Sequence, residues 1–171
     1  MSDFPIEFSC PPLLLPPDME SKSNSEHLWL VAEEWSTPAI DGYKIWIRAP
    51  VTLPDGRVAG LYTDGISVPQ LGWSVSGLTP FGMPGLLFAL GHDPAYCAEL
   101  ADQKTCDDWL LQWAKMAGVS RFQRNAAYAC VRLFGGGVWA KHTKKSISDA
   151  RQVVQLVKVG CTPVWKPIVV A

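Results

Sequence analysis

The sequence predicts a single α+β domain in which a small antiparallel sheet packs on three helices, with extended arms at both ends. Three observations predict it. Short β-type runs divided by Gly, Pro and Asp occupy the N-terminal half, and longer helical patterns with recognisable caps follow from residue 84. The length of 171 residues suits one hydrophobic core and falls short of what two domains usually need. The division that follows is an N-terminal arm over 1–26, a core over 27–139 and an extended docking segment over 140–171.

The arm is rich in Pro and Ser, and Ser21-Lys22-Ser23-Asn24-Ser25 reads as its connector. β-type segments are expected at His27 to Ala32, Tyr43 to Arg48 and Val58 to Tyr62. Leu53-Pro54-Asp55-Gly56 is turn chemistry, so the second and third of these should form a hairpin. From Thr63 to Gly85 the density of Gly, Pro and Ser predicts an irregular ordered loop.

The first helix should begin near Pro84, a residue suited to a first turn, and run to Leu100. Pro94 removes one backbone hydrogen bond and should kink it beside His92. The second helix takes Thr105 as N-cap and Asp108 at the capping-box position; the third takes Ser120 and Gln123 and stops at Gly135. On the third, Phe122, Ala126, Ala127, Cys130, Val131 and Phe134 form a stripe expected to be buried. Beyond it, Val153 to Val159 and Pro163 to Val170 read as extended, as edge strands or docking segments.

Composition narrows the function classes. A hydrophobic fraction of 48% with 18% charged residues describes a packed globule. The net charge of −1 argues against a general electrostatic grip on nucleic acid, which needs a basic stripe. No apolar run approaches the roughly 20 residues of a membrane span, and the N-terminus lacks the pattern of an export signal. Eight tryptophans are many for this length: several belong in the core, and exposed ones would mark a lipid, glycan or protein contact. Cys10, Cys97, Cys106, Cys130 and Cys161 make an odd count without a C-x-x-C pair, which reads as reduced, mostly buried thiols and no structural zinc. A disulfide between Cys97 and Cys106 is the less expected arrangement.

The chemistry concentrates at His92, Asp93 and Tyr96, with Asp107 on the next helix. Histidine exchanges a proton near neutral pH. Positions i and i+4 share a helix face, so His92 and Tyr96 should look into one cleft while Asp93 turns aside, free to hold a metal or an orienting hydrogen bond. Asp107 would fix the His92 tautomer and stabilise its imidazolium, as a general base requires, and the Tyr96 hydroxyl would steady Asp107. Asp93, with Asp64 from the turn Thr63-Asp64-Gly65, would offer carboxylates to a hard cation such as Ca²⁺; Asp64 equally suits a plain turn. The same His, Asp and Tyr also make a buried polar network that pins two helices, and both readings stay open at this level.

Asn125, Tyr128 and Arg132 recur at helical spacing and either line that cleft or form a solvated face. Lys141, His142, Lys144 and Lys145 read as a solvated turn or as a phosphate or headgroup contact. No G-x-S-x-G elbow, P-loop or His-Glu-x-x-His is present, so three common enzyme classes lose their main support.

The ordered set Trp29, Tyr62-Thr63-Asp64-Gly65-Ile66-Ser67-Val68-Pro69, Trp73, His92-Asp93-x-x-Tyr96, Asp107, Asn125-Ala-Ala-Tyr128 and Val131-Arg-Leu-Phe-Gly135 resembles a family of small phage and prophage proteins of unknown function. That resemblance covers roughly 27–139 and implies a phage origin without supplying a reaction. The helical half also resembles the catalytic helices of calcium-dependent secreted phospholipases. That likeness implies that His92 activates water, Asp93 binds Ca²⁺, Asp107 orients His92 and Tyr96 bonds Asp107. Phe81-Gly82-Met83-Pro84-Gly85 is the candidate for the calcium loop, while the disulfides and export signal of those enzymes are absent and Pro94 interrupts the helix.

Two functions follow. One is a virion component of the tail or its tip with a His/Asp hydrolase site, acting on a lipid or cell-envelope ester during entry or lysis. The other is a purely structural tail protein. The expected partners are other phage virion proteins and, for the hydrolase, that lipid or envelope substrate, not nucleic acid. The expected location is the virion or the infected-host cytoplasm.

Overall fold

The computed structural model describes residues 14–15, 29–63 and 85–169. The Asp-Gly-Ile-Ser-Val-Pro stretch from Asp64, Trp73 and the Phe81–Pro84 segment therefore lie outside the described residues, as does most of the N-terminal arm. What is described is an α+β domain of small antiparallel sheets and four helices.

Strands β1 (Leu14–Leu15), β2 (Trp29–Val31) and β7 (Tyr62–Thr63) form one sheet in the order β1-β2-β7. Strands β3 (Trp35–Ser36), β4 (Tyr43–Ile47) and β8 (Val154–Lys158) form a second, in the order β3-β4-β8. Strand β4 alternates as a half-buried strand should, with Ile45 and Ile47 facing inward. The link from β3 to β4 closes at Asp41-Gly42, both at positive φ, with Ile40 and Tyr43 exchanging backbone hydrogen bonds of 2.8 and 2.9 Å. That is the geometry of a two-residue primed turn, for which Asp-Gly is favoured.

The expected hairpin at Leu53-Pro54-Asp55-Gly56 forms, but its strands are β5 (Val51–Thr52) and β6 (Val58–Ala59). Strand β4 is paired elsewhere, along its whole length with β8, from Tyr43↔Lys158 to Ile47↔Val154.

Helices α1 (Gly85–Cys97) and α2 (Gln103–Met116) pack as a hairpin that carries the largest share of the core. Gly91 of α1 lies against the Trp113 indole of α2; a Cβ there would sit 2.6 Å from the ring. The Trp113 Nε1–H in turn donates to Pro38 O at 3.2 Å and ties the hairpin to the strand region. Pro94 is accommodated inside α1. The helix ends with Glu99 at positive φ and Leu100 N bonded back to Ala95 O, a left-handed cap on a residue other than glycine. The N-cap of α2 is Asp102, whose carboxylate takes the Thr105 N–H and hydroxyl, so the helix starts earlier than the Thr105 cap expected from sequence.

Helix α3 (Arg121–Trp139) starts as expected, with the Ser120 hydroxyl accepting from Gln123 N. It does not stop at Gly135 but continues through Gly136 and Gly137. The expected buried stripe is corrected too: only Ala127 and Val131 are buried, while Phe122 and Phe134 are exposed. The helix is apolar on more than one side, so periodicity alone does not choose the inward face.

The C-terminal segment is not wholly extended. A capping box of Thr143 and Ser146 nucleates helix α4 (Lys144–Val153), which runs directly into β8. Lys144 and Lys145 open this helix instead of lying in a turn. Arg151 of α4 donates to the Ala98 and Glu99 carbonyls at the end of α1, at 2.7 and 2.8 Å. Beyond β8, the amides of Gln155 and Gln152 bond the backbone of Val164 and Val169 and hold the last segment along the domain.

Candidate functional site

The α1–α2 hairpin brings His92 to Asp107. The residue before the second turn of α2 faces α1, and there the Asp107 carboxylate is completely buried. Its Oδ1 lies 3.0 Å from His92 Nε2, and its Oδ2 accepts from Arg132 Nη1 of α3 at 2.9 Å. The other ring nitrogen, Nδ1, is 3.1 Å from Asp93 Oδ1. His92 itself is only 6% exposed. Three helices thus contribute an alternating row of carboxylate, imidazole, carboxylate and guanidinium.

Burial pulls the His92 pKa down, but the hydrogen bonds and charges of Asp107 and Asp93 outweigh it and hold the imidazole up to about 9. At neutral pH both ring nitrogens are therefore N–H donors, one to each carboxylate. Burial, reinforced by the Asp107 charge, pushes the Tyr96 phenol up to about 12, so it stays a neutral donor.

One expected role takes shape and another changes. Of the two roles open to Asp93, the structure has the orienting hydrogen bond: its short side chain reaches back to its neighbour's Nδ1. Tyr96 does not hold Asp107. Its hydroxyl donates to the Gly135 carbonyl of α3, and its ring lies 5.2 Å from the His92 ring and 4.7 Å from that of Trp139. The residue that clamps Asp107 is Arg132, which the sequence offered either as a lining residue of the cleft or as part of a solvated helix face. Its spacing from Tyr128 was the available signal: Tyr128 donates to Asp108 at 2.8 Å, so adjacent carboxylates on α2 meet residues one turn apart on α3. Asp108 also accepts from Lys104 at 2.6 Å, and that bond, before the one from Tyr128, holds its carboxyl below the usual range. Asn125 points to solvent.

A cleft of about 140 Å³ opens between α1 and α3 onto this row. His92, Asp93 and Tyr96 stand on one side and Val131, Phe134 and Val138 on the other. It is apolar except where His92 and Asp93 border it. A second His–acid pair sits nearby, with His142 Nδ1 3.1 Å from Glu99 Oε1 and the imidazole edge-on to Tyr96. Cys106 is a buried thiol donating weakly to Ala95 O, and no disulfide joins it to Cys97.

Calcium takes six to eight oxygen ligands. Among the described residues no group of three or more His, Cys, Asp and Glu side chains is arranged to hold a metal, and Asp93 is the one carboxylate bordering the cleft. Asp64 lies outside the described residues. The described donor set does not fit the ion, and no chemical step below runs through it.

A family model described as a protein of unknown function (DUF1353) matches residues 51–131. The chain is similar to that family over β5, β6, β7, α1, α2 and the first part of α3. The stretch includes His92, Asp93, Tyr96 and Asp107 and ends one residue before Arg132. No curated protein and no solved structure matches the chain.

Proposed function

We propose that the protein is a phage-encoded virion component, of the tail or its tip, whose His92 site hydrolyses an ester of a lipid or cell-envelope molecule. The observation that carries the chemistry is the way the imidazole is held. Its Nε2 edge is anchored on buried, Arg132-clamped Asp107, while the rest of the ring borders an apolar cleft. That is the support a general base needs, beside a surface that suits an acyl chain.

In this reading a water displaces the Asp93 carboxylate from Nδ1. Neutral His92 takes a proton from that water as the oxygen attacks the ester carbonyl carbon. The carbonyl C–O bond to the alcohol then breaks, and the imidazolium returns the proton to the leaving alkoxide, so a carboxylic acid and an alcohol leave. Asp107 stabilises the imidazolium while it exists. Because His92 is held up to about 9, the neutral base becomes abundant only in alkaline solution, and the rate should climb with pH towards that value.

The test is hydrolysis of short-chain aryl esters and of dispersed phospholipid, from pH 7 to 10, with and without Ca²⁺, by wild type, His92→Asn and Asp107→Asn. Turnover that rises with pH and is lost in a folded His92→Asn protein supports the reading. Absence of turnover under every condition sinks it. The virion assignment is checked by mass spectrometry of purified particles, where the chain is expected at fixed copy number.

One observation favours the structural reading. Both ring nitrogens of His92 and both oxygens of Asp107 already have partners, as a pin between three helices requires. In that case His92→Asn lowers the melting temperature and changes no reaction.

A further inference from the structure

The outward face of α3 is apolar at strict helical spacing. Phe122, Ala126, Ala129, Leu133 and Gly137 fall on one stripe, opposite the buried Ala127 and Val131. Phe122 is 69% and Leu133 76% exposed, whereas Phe134 and Val138, at the mouth of the His92 cleft, fall on the other side of the helix together with Val131. A helix face normally turns such residues inward. Here Phe122 and Leu133 form exposed apolar surface on the side of α3 away from the cleft.

The charge around the stripe is of one sign. Between residues 121 and 145 the chain carries Arg121, Arg124, Arg132, Lys141, Lys144 and Lys145 and not one Asp or Glu, although the whole chain has a net charge of −1. Arg132 is committed to Asp107, and Lys145 meets Asp149 at 3.6 Å. The others leave both ends of α3 positive. This combination matches helices that lie in the headgroup region of anionic membranes, where the apolar face dips towards the acyl chains and cations meet lipid phosphates. No helix among the described residues is long and apolar enough to cross a bilayer, so the arrangement fits lying on the surface.

We infer that the exposed stripe of α3 seats the protein on an anionic phospholipid surface. A second copy of the chain fits less well. Pairing α3 with α3 in antiparallel fashion sets Arg121 and Arg124 against Lys141 and Lys144, and parallel pairing sets each cation against its own copy, with no acid in the segment to answer either. The inference gives the proposed hydrolase its substrate class, yet it rests on the stripe and its charges, and the two fail separately.

The experiment is co-sedimentation of the full chain with vesicles of phosphatidylglycerol and phosphatidylcholine, and with vesicles of phosphatidylcholine alone. Wild type should bind the anionic vesicles about tenfold or more tightly than the neutral ones, and less tightly as salt rises. Phe122→Glu/Leu133→Glu should lose most of that binding with an unchanged melting temperature, because both side chains are in solvent. Lys141→Glu/Lys144→Glu should lose the preference for anionic lipid. His92→Asn should bind as wild type, so vesicle binding without ester turnover supports the docking and removes only the hydrolysis. Three results overturn it: no binding of wild type to either vesicle, equal binding by the Phe122→Glu/Leu133→Glu protein, or a dimer in solution that Leu133→Glu dissolves.

Discussion

Helices α1 and α3 form the two walls of one cleft and are held in opposite ways. In α1 eleven of thirteen residues are buried, and the helix fits so closely that Gly91 rests on the Trp113 ring. In α3 only Ala127 and Val131 of nineteen residues are buried. The second wall is attached instead by polar bonds: Arg132 to Asp107, Tyr128 to Asp108, and Tyr96 to the Gly135 carbonyl. Packing does not depend on protonation, whereas such bonds do. The difference predicts that the α1 wall is rigid at any pH, and that the position of α3 depends on the charge state of the row between them.

The largest effect should come from removing the charge the two walls share. Asp107→Ala leaves the His92 imidazolium and the Arg132 guanidinium without their common carboxylate, at a cost of about 3–5 kcal/mol. Urea denaturation near neutral pH measures it, and a loss below about 1 kcal/mol would mean that the row does not lock the walls together.

Next in size is pH. The His92 pKa is about 9 in the folded protein against an ordinary 6.5, so its contribution is complete below 6.5 and is lost as pH rises through about 9. Chemical denaturation at successive pH values should show stability falling across that window by up to about 3 kcal/mol. Asp93→Asn removes one of the two carboxylates that raise the pKa, and should narrow the window and shrink the fall. A profile that is flat from 6.5 to 9.5 in wild type would contradict the protonated row.

The smallest and sharpest comparison uses one substitution on both walls. Gly91→Ala drives a Cβ to 2.6 Å from the Trp113 ring and should cost about 1–3 kcal/mol. Gly136→Ala on α3 meets nothing within 4 Å and gains helix propensity, so it should stabilise by about 0.5–1 kcal/mol. Equal signs in thermal melts would erase the distinction between a packed wall and a tethered one.

What could be read in advance followed local signals. The start of α3 was legible because Ser120 and Gln123 form a cap within four residues. The meeting of His92 and Asp107 was legible because a short link between two helices makes them antiparallel neighbours. The hairpin at Asp41-Gly42 carried its own turn signal and was passed over. Other features needed three-dimensional information. Helical angle gave Asp93 a metal or an orienting hydrogen bond to hold, and the choice depended on its short side chain bending back to the adjacent residue. Arg132 reaches Asp107 across 25 positions, a pairing no local pattern encodes. The expected inward stripe of α3 held the two residues that are buried, Ala127 and Val131, but was drawn too wide, because Phe122 and Phe134 look the same in sequence whether they face a core or the outside.

The pairing of β4 with β8 joins residue 43 to residue 158 and residue 47 to residue 154. Such distant partners make a slow closing step, since the whole intervening chain must be gathered first. During synthesis on the ribosome, Ile45 and Ile47 are made early, with the two-residue β3 on one side and no strand on the other until almost the entire chain has emerged. Until then β4 presents an open edge, the kind of surface on which nascent chains pair with one another. A fragment cut to residues 51–131 would contain neither strand of that ladder. It would carry His92 and Asp107 but lack Arg132 and the sheet beneath them, so the recognisable motif and the unit that folds are different lengths of chain.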